Sequence, residues 1–463
     1  MELESGLTFK IAYDYWNPIT NMPFPNGWAK FLREDFIENG KHNPQYQYSS
    51  THSELNNQFK YRNREDVGGI HIITEKYDED ITYFYLLEGV GCDFRLFMDI
   101  SQDNRYSTLL IKNMSPKALK MAQDGQLKIV INYSHEPIGD DLLFDLIGEF
   151  CSRNGILEEN IMFFTGCMNI NHLCQQSLSK YKFKVYTDNV VMSTSGQSLR
   201  NLMDGGKHNE LNYETTLITE SEIKTDVRDK HFICLNRNSH KGHRLNLGLF
   251  VESENLWDKF YISFLEDLKS HDRIHNTTHG FRNMEFRNRL LDALPDFIKK
   301  TPLELDTQSL NDEQRMCFSV VRAYRKDLYL NSYIYVVTET KFDKHIYFSE
   351  KICNPMIVLQ PFIVFGAAHF LKYLKKLGFK TFSPFIDETY DDEENDEKRL
   401  MLLCNLIKKL SKLDRLEIHE WYNSIKDILV HNRTLLYQMS FNNNFENRFI
   451  ETLNYEKNIS NRV

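Results

Sequence analysis

Two short stretches bring together residue types suited to a charged, hydroxyl-bearing ligand. The first is Cys234–Arg244, CLNRNSHKGHR, which holds Arg237, His240, Lys241, His243 and Arg244 between an apolar run and a helical pattern. A strand-to-helix turn offers free backbone N–H groups and the positive end of a helix dipole. Basic side chains added there suit a diphosphate. The second is Glu350-Lys351, set between two apolar runs in IYFSEKICNPMIVLQPFIVFG. A carboxylate can accept both hydroxyls of a ribose, and the adjacent ammonium can neutralise a phosphate. Taken singly, a solvated basic turn and a solvated Glu-Lys pair would explain these stretches as readily.

The elements that must position these residues follow from periodicity. LKIVINY, Leu127 to Tyr133, is a short β-branched run and reads as a buried strand. The next stretch places Leu142, Leu143, Leu146, Ile147 and Phe150 on one helical face, with Asp140 as the cap and Gly155 as the stop. NIMFFTG predicts another strand and NHLCQQSLSKY another helix. The residues from Gly205 to Asp229 lack sustained periodicity and read as a connection. The pattern then restarts with HFICLN as a strand, GHRLNLGLFVE as a helix, SYIYVVTE as a strand, and a strand within MIVLQPFIVFG. AAHFLKYLKKLG is the helix behind that strand, stopped by Gly378, and Leu403, Leu406, Ile407 and Leu410 mark a long helix near the end.

Alternating strands and helices in two series predict an α/β protein of two Rossmann-like domains facing a cleft. The expected limits are 1–225 and 229–400, with 401–463 forming C-terminal helices that could cross back to the first domain. Ligands of such sheets bind beyond the carboxyl ends of the strands. Asn236 and Arg237 end one strand, Glu339 ends a second, and Glu136 follows a third by three residues.

Composition narrows the classes. The chain has 463 residues, too many for one ordinary core, with 41% hydrophobic and 26% charged residues and a net charge of −9. With an isoelectric point near 6.0, it is not a general nucleic-acid coat, although a local basic cleft stays open. Its eight cysteines include no Cys-x-x-Cys pair and read as free thiols in a reducing compartment. The histidine spacings form no metal-ligand set, and YDED, Tyr77 to Asp80, reads as an acidic turn. MELESGLTFK carries no apolar leader and no run reaches membrane length, so a soluble, cytoplasmic chain is expected. TSGQS, Thr194 to Ser198, reads as a polar loop, and the acidic run Asp387 to Lys398 as a solvated loop that also caps the last helix.

The segment SYIYVVTETKFDKHIYFSEKICNPMIVLQPFIVFG resembles the donor-binding region of GT-B glycosyltransferases of the α-1,3-fucosyltransferase type. Glu339 matches the first glutamate of that region, and Tyr347, Ser349, Glu350 and Lys351 match its Tyr-Ile-Thr-Glu-Lys motif. Pro361 and Gly366 match its Val-Pro strand. ICLNRNSHKGHR is similar to the family's strand-Asn-loop-Arg element through Asn236 and Arg244, and VINYSHEP to its N-terminal strand through Glu136. FFTGCMN and LKKLGFKTFSPFIDETYD are also similar to glycosyltransferase-like proteins of phages, which would place the chain in a host cytoplasm.

The resemblance implies roles. Arg244 and Lys351 would hold a diphosphate and stabilise the leaving group. Glu350 would bind the ribose, Glu339 the sugar or ribose edge, and Glu136 would deprotonate the acceptor hydroxyl. An inverting transfer from a nucleoside-diphosphate sugar would follow, with no metal and no other cofactor. Thr340, Ile346 and Val358-Leu359-Gln360 depart from the family pattern, and Pro361 to Gly366 is one residue longer, which leaves the nucleotide and sugar open. The acceptor would be a glycan or a modified base such as hydroxymethylcytosine in viral DNA, where the basic runs Lys180–Lys184 and RNSHKGHR could help. Two other classes compete. One is a non-catalytic binding or structural protein that kept the fold. The other is a Rossmann dehydrogenase, which would need a Gly-x-Gly-x-x-Gly after a strand that this chain lacks.

Overall fold

The computed structural model describes residues 9–13, 16–17, 22–23, 70–72, 82–88, 116–134, 137, 139–188, 190–203, 218–223, 226–236, 241–265, 281–305, 326–442 and 445–460. The chain forms two compact units, Met1–Val190 with Phe445–Val463, and Val191–Asn444. The division falls at Val190 rather than near residue 225. The residues expected as one C-terminal group are split between the units at Asn444.

The first unit is built on a parallel sheet of strands β1 (Phe9–Tyr13), β2 (Ile70–Ile72), β3 (Thr82–Glu88), β4 (Leu127–Tyr133), β5 (Ile161–Thr165) and β6 (Lys184–Thr187). They lie in the order β2-β1-β3-β4-β5-β6. Every residue of β4 and β5 is buried, because helices cover both faces of a parallel sheet. Helix α1 (Asp141–Asn154) starts at Asp140, whose carboxylate accepts from Leu143 N at 2.8 Å, and stops at Gly155 in the left-handed region at φ 64°. That N-cap contributes about 1 kcal/mol. Its buried face is Leu143, Phe144, Ile147, Gly148 and Cys151; Leu142 is exposed, so the apolar stripe is rotated from the expected one. Phe144 meets Phe163 of β5 edge-on at 5.2 Å. The helix expected over NHLCQQSLSKY is two short ones, Ile170–Leu173 and Gln175–Lys180.

The terminal helix, Phe445–Ser460, packs in this unit. Phe449 lies 4.8 Å from the Phe164 ring, and the buried Glu456 carboxylate accepts from Lys184 Nζ and Tyr186 Oη. Lys128 Nζ reaches the Glu456 carbonyl at 3.1 Å. Burial first, and Lys184 second, push the Lys128 ammonium down to about 8. In the basic run, Lys180 pairs with Asp145, Lys182 with Glu159 and Lys184 with Glu456, so its cations meet carboxylates of this unit.

The second unit holds β7 (Lys230–Asn236), β8 (Phe260–Phe264), β9 (Ser332–Thr338) and β10 (Phe362–Phe365), all parallel, in the order β8-β7-β9-β10. The chain leaves β7 towards β8 on one side and β9 towards β10 on the other. The order therefore reverses between β7 and β9, the place at whose carboxyl ends such sheets form a crevice. Helix α2 (Gly242–Ser253) follows β7, and Gly248 lets it close on α3 (Met284–Lys300), since a Cβ there would come within 2.5 Å of Phe297. Helix α4 (Glu350–Ile357) follows β9, and α5 (Phe370–Lys376) follows β10. Helix α6 (Asp396–Leu410) buries Leu403, Leu406, Ile407 and Leu410 and is capped by Asn395.

TSGQS, expected as a loop, lies inside the helix Val190–Met203, where β-branched Val and Thr are tolerated and Leu199 is buried. Met192 of this helix meets Cys353 of α4, Sγ to Sδ 3.3 Å. The six cysteines among the described residues are free and buried. Among the described residues no helix is long and apolar enough to cross a membrane.

Candidate functional site

At the β7–β9 crevice the carboxyl ends of the two strands are joined through side chains. Thr338 Oγ1 donates to Asn236 Oδ1 at 2.5 Å, and Asn236 Nδ2 approaches Cys234 Sγ at 3.2 Å. Glu339 is the next residue after β9 and is 1% exposed. Its carboxylate accepts from Ser349 Oγ and, at 3.0 Å, from Thr340 N. Burial pushes the Glu339 carboxyl up, opposed by the Lys351 charge and the Ser349 hydroxyl. Gly366 follows β10, and a Cβ there would press on the side chains of Val364 at 3.1 Å and Phe370 at 3.3 Å.

Ser349 caps α4 by accepting from Lys351 N at 3.3 Å. Glu350 and Lys351 are therefore the first turn of a helix, not a loop. Lys351 Nζ pairs with Glu350 Oε1 at 2.6 Å and lies 3.4 Å from both Thr340 Oγ1 and Ser349 Oγ. Burial would raise the Glu350 carboxyl, but the Lys351 charge and hydrogen bond, with Arg244 behind them, hold it below its ordinary value. The pair keeps solvent contact, with side chains 41% and 25% exposed for Glu350 and Lys351. Tyr347 is buried two residues before the cap.

The basic turn does something the sequence did not signal. Lys241 Nζ donates to the Thr340 carbonyl at 2.8 Å, and Arg244 Nη2 donates to the carbonyls of Thr338 at 3.0 Å and Glu339 at 3.2 Å. His243 Nε2 sits 2.9 Å from the same Glu339 carbonyl, and its ring stacks on Phe342 at 5.2 Å. Burial, reinforced by the Arg244 charge, pushes His243 well below the ordinary histidine range, so it is neutral and donates from Nε2. Three side chains of one turn thus hold the backbone that carries Glu339.

The structure brings Asn236, Arg244, Glu339, Ser349, Glu350 and Lys351 to one end of the second sheet. Arg237 and Glu136 lie outside the described residues, as do His135, His240 and the YDED stretch. Sequence reasoning missed Lys241 and His243 as supports of the β9 end, and Thr340 as a neighbour of Lys351. The crowding of cations at the start of a helix was the available signal. Among the described residues no three His, Cys, Asp or Glu side chains come together as a metal set.

No family model matches the chain, and no curated protein matches it. Among solved structures the chain is similar to trehalose-6-phosphate synthase studied with bisubstrate glycomimetics for enzymatic glycosyl transfer with retention. That likeness has 10% identity and a TM-score of 0.37, over 82% of this chain and 74% of that one. A second is a trehalose-6-phosphate structure from E. coli bound with UDP-2-fluoro glucose, at 10% identity and a TM-score of 0.37, over 79% and 72% of the two chains.

Proposed function

We propose that the chain is a nucleotide-sugar-dependent glycosyltransferase of GT-B type, which moves a sugar from a nucleoside-diphosphate sugar to an acceptor hydroxyl. One observation carries the reading: a buried carboxylate, a Ser-capped helix start and a partly exposed Glu-Lys pair meet at the strand-order reversal of a parallel sheet. That is where α/β sheets bind nucleotides. Glu350 accepts the ribose hydroxyls. Lys351 then leaves Glu350 for the diphosphate, helped by the amides of the first turn of α4. Glu339 reads a sugar or ribose edge.

The finer reading follows the motif resemblance. Transfer inverts the anomeric carbon, Glu136 takes the acceptor proton, and Arg237, in place of the Arg244 that the resemblance assigns, joins Lys351 at the phosphates. Cationic side chains do the neutralising, so EDTA leaves transfer intact. The acceptor is a glycan or a hydroxymethylated base in viral DNA, and the enzyme works in the cytoplasm. The burial of Arg244 on backbone carbonyls supports the second reading, a GT-B-like binding protein without catalysis.

A thermal-shift screen of the full chain against UDP-, GDP- and ADP-sugars decides between them. Stabilisation by one donor, with release of its nucleoside diphosphate over time, supports the enzyme. Stabilisation without turnover, with any acceptor offered, supports the binding protein. No shift with any nucleotide removes both.

A further inference from the structure

A second groove lies in the same unit and shares no residue with the Glu339–Lys351 site. It has a volume of about 810 Å³ and runs between α5, the loop 383–392 and α6. That volume suits a small molecule. Its lining mixes polar and apolar surface, and includes Lys372 and Lys376 of α5, Lys409 of α6, and Ser383, Thr389 and Asp392 of the loop.

The charges of the groove are not equally available. Glu388 is consumed by the loop: it accepts from Lys375 Nζ at 2.8 Å, Phe382 N at 2.8 Å, Thr381 Oγ1 at 3.0 Å and Ser383 N at 3.1 Å. Asp387 accepts from the amide and hydroxyl of Thr389 at 3.1 and 2.8 Å. Asp391 accepts from Leu371 N and Lys372 N at 2.8 and 3.0 Å. By contrast, among the described residues no hydrogen bond or ion pair holds the ammonium of Lys372 or Lys409, and Lys376 rests on the Tyr373 ring at 4.3 Å. Lys375 is spent on Glu388 and the Lys409 charge is felt by Asp387, while Lys372 and Lys376 are open and three of the four carboxylates accept hydrogen bonds in building the walls.

Anionic groups are therefore attracted from two sides. A continuous polyanion is not, because the exposed Asp392 and Asp387 would repel its neighbouring phosphates. The same carboxylates and the Ser383 and Thr389 hydroxyls accept hydrogen bonds from alcohols. We propose that this groove binds a small phosphorylated polyol, with its phosphates on Lys372, Lys376 and Lys409 and its hydroxyls on the Ser383, Thr389 and Asp392 side.

The test is calorimetry on the full chain with fructose 1,6-bisphosphate as the probe, beside fructose, inorganic phosphate and a single-stranded DNA oligonucleotide. The bisphosphate should bind more tightly than phosphate, and fructose should not bind measurably. Lys372→Ala and Lys409→Ala should each weaken it by about ten- to a hundredfold, the loss expected for one charged contact. UDP binding should be unchanged in both variants, since neither residue belongs to the other site, and an unchanged unfolding midpoint shows that the exposed substitutions leave the fold intact. Bisphosphate binding that survives both substitutions, or absence of binding at millimolar probe, overturns the proposal. Phosphate binding as tightly as the bisphosphate overturns the polyol part, and preferential capture of the oligonucleotide overturns the small-molecule assignment.

Discussion

Ser349 and Glu339 are locked to each other: the serine hydroxyl donates to the buried carboxylate while accepting from the amide of Lys351. One hydroxyl thereby couples the carboxyl end of β9 to the first turn of α4. The pairing explains how a carboxylate that is 1% exposed is tolerated, and why the Glu350-Lys351 pair stands where it does. Buried polar groups are kept by their partners, and each partner lost leaves the other stranded.

Ser349→Ala removes both the cap and a donor to Glu339. Unfolding in urea should show a loss of about 1–3 kcal/mol, combining a lost N-cap with a stranded acceptor. Ser349→Thr keeps the hydroxyl and should recover most of it. Equal stability of the alanine variant and the parent would break the proposed coupling.

Lys351 and Arg244 should separate. Lys351 is partly exposed and paired with a neighbour that reaches solvent, so Lys351→Ala should leave the unfolding midpoint nearly unchanged. Its nucleoside-diphosphate affinity should fall by about ten- to a hundredfold. Arg244 is buried against two carbonyls, and Arg244→Ala should lower stability by about 2–4 kcal/mol. Calorimetry and denaturation on the same preparations give both numbers. A stable Arg244→Ala chain that has lost only nucleotide affinity would return the arginine to the ligand.

Glu136→Gln tests the acceptor side. Donor binding should survive and transfer should fall by about 10²–10⁴, the range of a positioned general base. Transfer at the parental rate would put the base elsewhere. Loss of donor binding as well would make Glu136 a donor or structural residue.

Asp391 gives a pH signature. Burial pushes its carboxyl up to about 6 in the folded chain, against the ordinary value of 3.8. A raised folded value means that the folded state holds the proton more tightly. Its stabilising contribution is complete below about pH 4 and is lost as pH rises through about 6. Asp391→Asn cannot titrate, so its stability relative to the parent should improve by up to about 3 kcal/mol between pH 4 and pH 7. A difference that stays flat across that window would mean that the two backbone donors, not burial, govern the group.

Much of the frame was legible because it is local. β4 runs from Leu127 to Tyr133 as its β-branched pattern predicts, and Asp140 and Gly155 bound α1 through their own cap chemistry. Glu339 was legible as a strand end, and Ser349 and Lys351 through a short motif, whereas the helix that Ser349 caps was not read from the sequence. What stayed hidden depends on contacts between distant residues. Leu142 faces solvent although its spacing suits the apolar stripe, because the sheet that α1 packs on selects Leu143 and Phe144 instead. Asp391 sits in an acidic run that composition reads as solvated, yet it is buried where the amides of Leu371 and Lys372 need an acceptor.

The basic turn is the clearest division. The sequence by itself determined that Lys241, His243 and Arg244 cluster at the start of a helix, since a strand, a turn and a helix are set by propensity and period within a dozen residues. Only the tertiary structure decided that they point to the carbonyls of Thr338, Glu339 and Thr340, almost a hundred positions later. A cation is drawn to phosphate or to carbonyl oxygen by the same physics, and which one it meets depends on where the parallel pairing of β7 with β9 brings the second strand's end. That pairing joins segments whose separation in the chain leaves no periodic trace.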